Sequence, residues 1–178
     1  MLTEVDEANL KEAINNRKSY YGKLQIEKSS YPTWNSLVPY FDDSFLSGNI
    51  RARNPHKLFV NVHDNHFSIV KTIKDHLRNI VQDTTEFSCH CYAGFSPNAF
   101  ASPPHSDAME VFFVMIQGSM PWKIFENGCD YNNETKTMTS KSTFSRQLVQ
   151  GDFVYVPKGI YHVALPNQSR AGFSFGWY

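Results

Sequence analysis

Residues 103–118 read PPHSDAMEVFFVMIQG, and how this stretch is read decides the fold. Two prolines open it, a histidine and an aspartate two apart follow, and the chain then enters an apolar run of Val, Phe, Met and Ile. Branched and aromatic side chains in such a run predict a strand. Consecutive strand side chains alternate between faces, so His105 and Asp107 project from the same side. A second stretch, GDFVYVPKGIYHVALP at 151–166, spaces Gly151, Pro157, Gly159 and His162 as G-x5-P-x-G-x2-H. Its glycines and proline predict a tight turn that delivers His162 at the start of the next strand. His105, Asp107 and His162 are therefore three candidate metal ligands from neighbouring segments. Two imidazoles and one carboxylate on one side of a metal leave the opposite positions open, which suits non-haem Fe(II). An isolated H-x-D pair has a plainer reading, a turn histidine beside a solvated aspartate. The Gly-Pro-Gly-His element, about 55 residues downstream, shifts the balance to a metal site.

The 178 residues suit one domain with a core of its own, so residues 1–178 are expected to form a single unit. Within it, 1–56 read as an N-terminal helix and wrapping segment and 57–178 as the barrel core. Seventeen Lys and Arg balance seventeen Asp and Glu without a charged block, so neither nucleic acid nor a membrane surface is indicated as a partner. No run of 18 apolar residues occurs, and the acidic MLTEVDEANLKEA lacks the basic-then-apolar order of a secretory signal. A soluble, intracellular, cytoplasmic protein is expected. Cys89, Cys91 and Cys129 are too few and odd in number for a disulfide framework, and the first two read as buried strand thiols.

The stretch 3–23, TEVDEANLKEAINNRKSYYGK, has acidic residues early and basic residues late, as a helix dipole prefers, and is expected to be helical. Three prolines and little periodicity predict an irregular segment over 28–56. A strand is expected at 57–62, then an amphipathic helix at 66–82 whose Ile69, Ile73, Leu77, Ile80 and Val81 form one stripe. From there the pattern is all strand: 85–94, 109–118, 121–126, 143–148, 152–157, 161–165 and 171–178, with a polar hairpin excursion at 127–142. Short strands at this density predict a mainly β, antiparallel sandwich or barrel.

The stretch 103–122 resembles the H-x-D strand of the Jumonji-C and asparaginyl hydroxylase group of 2-oxoglutarate oxygenases, and 151–162 is similar to the second motif of cupins. The resemblance covers roughly residues 85–178. It implies a double-stranded β-helix, a cupin-like jelly roll, here with N-terminal helices packed on the barrel, and a metal inside it. It implies Fe(II) as the metal, 2-oxoglutarate and O2 as co-substrates, and succinate and CO2 as co-products of a hydroxylation. In Jumonji-C relatives a lysine or arginine two positions before a tryptophan pairs with the distal carboxylate of 2-oxoglutarate; here that position is Met120, before Trp122. The last strand offers a replacement. Alternation sets Arg170, Gly172, Ser174 and Gly176 on one face, and the pattern from His162 through Pro166 to Arg170 and Ser174 resembles that of prolyl hydroxylases. Arg170 grips a carboxylate with two parallel bonds and Ser174 adds a third. Lys123 is the alternative cation, although alternation turns it away from Met120. Ser102 matches a hydroxyl that touches the co-substrate in asparaginyl hydroxylases, and Tyr92 is a further candidate contact. Glu110 stands where cupins often carry a fourth ligand.

Three functions follow from these readings. The first is an Fe(II)- and 2-oxoglutarate-dependent oxygenase, with Jumonji-C kinship favouring a protein residue as substrate. The second is a metal-dependent cupin working without 2-oxoglutarate, and the third a non-catalytic cupin that binds a ligand or partner. A monomer and a dimer both remain open.

Overall fold

Val, Phe, Met and Ile fill the segment Glu110–Gln117, which forms the strand β5, and the six residues from Val111 to Ile116 are all buried. A strand buried on both faces must separate two apolar layers. Val111, Phe113 and Met115 face one layer, and Phe112, Val114 and Ile116 face the other. This computed structural model describes residues 1–48, 50–54, 57–63, 66–81, 86–97, 102–132, 134–135 and 137–178, with side chains for all of them except 5, 50–54 and 57–61.

Before β5 the elements run α1 (Glu4–Asn15), β1 (Tyr20–Lys23), α2 (Trp34–Leu46), β2 (Ile50–Asn54), β3 (Lys57–Asn61), α3 (Ser68–Val81) and β4 (Ser88–Gly94). After it come β6 (Ser119–Phe125), β7 (Tyr131–Asn132), β8 (Thr137–Met138), β9 (Phe144–Val149), β10 (Asp152–Val156), β11 (Tyr161–Ala164) and β12 (Arg170–Trp177). Seven strands form one sheet in the order β1-β10-β5-β12-β4-β3-β2, three form a second in the order β11-β6-β9, and every ladder is antiparallel. His105 bridges to His162 at the free edge of β11, adding a short fourth member to the second sheet. The two sheets face each other across Val111, Phe113, Trp122, Ile124, Leu148 and Val154. The architecture is mainly β, a double-stranded β-helix with helices packed on the outer face of its larger sheet.

That outer face is covered by α3, whose Ile69, Val70, Ile73, Leu77 and Ile80 are buried against Phe153, Phe173 and Phe175. Their spacing follows the 3.6-residue helical period, as expected over 66–82. The opening helix is shorter than expected. It ends at Asn15 in a Schellman motif, with Arg17 at φ 52° and Lys18 N–H donating to Ala13 O at 2.9 Å. Residues 20–23 form a strand instead, because pairing with the edge of β10 satisfies their backbone and Gly22 lies over the Phe153 ring.

The irregular segment expected over 28–56 contains a 13-residue helix, α2, with Pro39 inside it. Proline in a helix interior costs roughly 3 kcal/mol. The buried stripe Leu37, Tyr40, Phe41 and Ser44 offsets this, since each large apolar side chain removed from water contributes roughly 1.5–3 kcal/mol. The polar excursion at 127–142 carries the two-stranded hairpin β7-β8. Among the described residues, no helix is long and apolar enough to cross a membrane.

Two glycines with nearly the same backbone separate conformational from steric demand. Gly48 has φ +73° with nothing within 4 Å of an added Cβ, while Gly118 has φ +74° and a Cβ there would lie 2.3 Å from Ser169 O. Denaturant unfolding of Gly48→Ala should show a loss of about 1 kcal/mol for the left-handed backbone. Gly118→Ala should lose a further ~1–3 kcal/mol from overpacking against that carbonyl.

Candidate metal centre

Backbone pairing builds this site before any side chain takes part. His105 N–H donates to His162 O at 3.1 Å and His162 N–H donates to His105 O at 2.8 Å. The turn Pro157–Ile160, closed by Ile160 N–H to Pro157 O at 3.1 Å, places Gly159 N–H 2.9 Å from Asp107 O. The turn that delivers His162 therefore also holds Asp107. One ligand-type atom from each of His105, Asp107 and His162 lies within 4.8 Å of the others, and among the described residues they are the one such trio of His, Cys, Asp or Glu. His162 Nε2 is 3.4 Å from Asp107 Oδ2, and the two imidazole centroids are 4.5 Å apart.

The ring tautomers suit a metal. His105 Nδ1 lies 2.9 Å from Pro103 O and His162 Nδ1 lies 3.2 Å from Ile160 O. A carbonyl only accepts, so each Nδ1 carries a proton, and in the neutral ring Nε2 is the nitrogen left to ligate. Burial, reinforced by the neighbouring His105 ring, lowers the His162 pKa below the ordinary imidazole value, which favours the neutral, ligating form. Trp122 stacks on the His162 ring at 5.5 Å with 8° between planes and tilts on Phe113 at 4.8 Å. Two imidazoles and a carboxyl group held this way fit a divalent first-row metal.

The trio borders a cavity of about 420 Å³ that also exposes Arg170, Ser174, Tyr92 and Ser102. The trio and the four co-substrate candidates Arg170, Ser174, Ser102 and Tyr92 thus meet around one space. Arg170 is 5% exposed, and its Nη1 donates to Ser96 O at 3.3 Å and Gln168 O at 3.2 Å. Burial pulls its pKa down, yet a guanidinium stays charged at neutral pH. Met120 lines the cavity, whereas Lys123 is not among its lining residues.

Gly172 and Gly176 add no open space: a Cβ would lie 2.1 Å from Phe113 Cζ at the first and 2.3 Å from Met109 Sδ at the second, so both rooms are filled. The Glu110 carboxylate stands outside the trio, accepting from Tyr155 OH at 2.7 Å and Lys158 N–H at 3.1 Å. His76 is partly buried, with Nε2 3.8 Å from Glu7 Oε2. His90 does not line the cavity, and His56 lies outside the described residues. The apolar wall of Val111, Phe113 and Trp122 went unread as part of the site. Alternation within β5 puts Val111 and Phe113 on one face, and Trp122 joins them from β6.

A family model of the JmjC domain matches residues 65–178. The chain belongs to the JmjC-domain family. Its sequence is similar to the bifunctional lysine-specific demethylase and histidyl-hydroxylase NO66 of Drosophila yakuba, 26% identical over 107 residues, covering 53% of this chain and 16% of that protein. Its fold is similar to YcfD, a ribosomal oxygenase from Escherichia coli solved with cobalt and 2-oxoglutarate, at a TM-score of 0.70 and 13% identity, covering 100% of this chain and 52% of that one. It is also similar to a prolyl-4-hydroxylase of Pseudomonas putida, at a TM-score of 0.62 and 12% identity, covering 96% and 97% of the two chains. The chain thus spans about half of YcfD and a much smaller share of the curated relative.

Gly94 is paired with Arg170 in register, and a Cβ at position 94 would lie 2.7 Å from Arg170 Nη1. Gly94→Ala should displace the guanidinium from its shelf and cost ~1–3 kcal/mol. A crystal structure and a thermal melt of the variant check both.

Proposed function

We propose that this protein is an Fe(II)- and 2-oxoglutarate-dependent oxygenase that hydroxylates a residue of a protein substrate. The observation that carries the reading is one cavity with the His105–Asp107–His162 trio and the buried Arg170 on its lining. The relatives' names support the chemistry and the substrate class, being histidyl-hydroxylase in one case and ribosomal oxygenase in the other.

His105, Asp107 and His162 would hold Fe(II). With 2-oxoglutarate and O2 the metal supplies the oxidation, in which the keto acid leaves as succinate and CO2 and a substrate C–H bond gains one oxygen. The chain's own residues position and shield. Arg170 pairs with the distal carboxylate of the co-substrate through two parallel, charge-assisted bonds, and it takes the part of the cation missing at Met120. Ser174 donates a further bond, and Tyr92, on the strand paired with that of Arg170, and Ser102 also hydrogen-bond the co-substrate. Val111, Phe113 and Trp122 keep water away from the reacting end, where a dry wall strengthens every polar contact.

Anaerobic Fe(II) followed by 2-oxoglutarate should produce a visible metal-to-ligand absorption band. His162→Ala should abolish it. Arg170→Ala should weaken keto-acid binding by about ten- to hundredfold, the loss of a charge-assisted pair of roughly 1.5–3 kcal/mol. Iron binding without a keto-acid response would point to a cupin working without 2-oxoglutarate, and no iron binding at all to a non-catalytic one. Mass spectrometry of ribosomal proteins incubated with the loaded enzyme should find a residue heavier by one oxygen atom.

A further inference from the structure

Glu110 opens β5 three residues after Asp107, and two protein donors converge on its carboxylate. A single oxygen, Oε2, accepts from the Tyr155 hydroxyl at 2.7 Å and from Lys158 N–H at 3.1 Å. Tyr155 is fully buried on β10, and a buried hydroxyl without an acceptor costs roughly 1–3 kcal/mol, so the core itself holds this carboxylate in place. Lys158 belongs to the turn Pro157–Ile160. The same turn touches two members of the trio, through Gly159 N–H on Asp107 O at 2.9 Å and Ile160 O beside His162 Nδ1 at 3.2 Å.

These contacts close a small ring: along the chain from Asp107 to Glu110, across to Lys158, one residue on to Gly159, and back to Asp107. Gly159–Asp107 is one hydrogen bond, and the exposed Arg17 Nη2 adds a longer one to Lys158 O at 3.4 Å. Glu110–Lys158 ties the turn to a rigid strand, through an oxygen that the buried Tyr155 hydroxyl also holds. We propose that Glu110 is a positioning residue of the metal centre. It fixes the 158–160 turn against β5 and so sets the placement of Asp107 relative to His162. The inference rests on the metal-binding reading above and concerns the geometry of the site, with Glu110 itself making no metal contact.

Calorimetric titration of the full chain with Co(II), without 2-oxoglutarate, tests this apart from turnover. Outer residues that orient metal ligands typically account for 10–100-fold in affinity, so Glu110→Ala should weaken Co(II) binding by about 10–100-fold, while Glu110→Gln, which keeps an oxygen acceptor at the same reach, stays within about threefold. Ile73→Ala, on α3 far from the trio, should lower Tm and leave Co(II) affinity unchanged, which separates positioning from general loss of stability. If Glu110→Ala does not fold, Glu110→Asp serves: it keeps the charge, draws the carboxylate back by one methylene and should also weaken binding. Unchanged affinity in the Ala or Asp variant overturns the positioning role and leaves the metal site standing. Equal losses in Glu110→Gln and Glu110→Ala overturn it in favour of direct ligation by the carboxylate. A wild type that takes up no Co(II) overturns the metal reading, and this inference with it.

Discussion

Two reciprocal backbone hydrogen bonds between His105 and His162 are the constraint on which this molecule turns. Residues of an antiparallel pair that exchange both bonds sit about 5.5 Å apart at Cα with their side chains on the same face. Two imidazoles from segments 57 positions apart are thereby set side by side whatever their own rotamers prefer. The remaining fold keeps that pair in register. On its other side β11 is laddered to β6, and β6 to β9, so the edge that receives His105 is the edge of a sheet and not a free loop.

The larger sheet works as a partition. Along β4, β5, β10 and β12, alternate side chains enter the apolar layer under the helices, and those between them enter the barrel. A period of two residues leaves no intermediate choice, so the strand that sends Phe173 and Phe175 outward sends Ser174 inward. Arg170 sits inside on the same rule. Its burial is tolerated because backbone carbonyls of Ser96 and Gln168 accept from it and because Gly94, its cross-strand partner, has no side chain to claim the room.

Turn geometry couples the ligands more closely than their separation in sequence suggests. The Pro157–Ile160 turn needs Gly159 at φ +82°, a conformation costly to other residues, and in return it presents one N–H to Asp107 and one carbonyl to His162. The trio is thus held by main-chain groups, while Trp122 supplies a flat surface against which the His162 ring rests.

The order of residues determined on its own much of what depends on short spacing. Gly-Pro-Gly-His specifies a turn, and alternation along the last strand sets Arg170 and Ser174 on one face, because strand period and turn stereochemistry are local properties. The shared strand face expected of His105 and Asp107 did not form: both precede β5, which begins at Glu110, and they converge through backbone bonds to His162 and Gly159. Tertiary structure alone decided what depends on partners distant in the chain. Residues 20–23 left the opening helix once the edge of β10 was there to pair with them, and α2 formed around Pro39 because a core was present to receive Leu37, Tyr40 and Phe41. Phe113 and Met109 fill the room beside the glycines of the last strand, and Glu110, at a position where cupins often carry a fourth ligand, is engaged instead by Tyr155 and Lys158. In each case a local preference worth a few kcal/mol met a burial or hydrogen-bond term of equal or larger size from elsewhere in the chain, and no local pattern records that term.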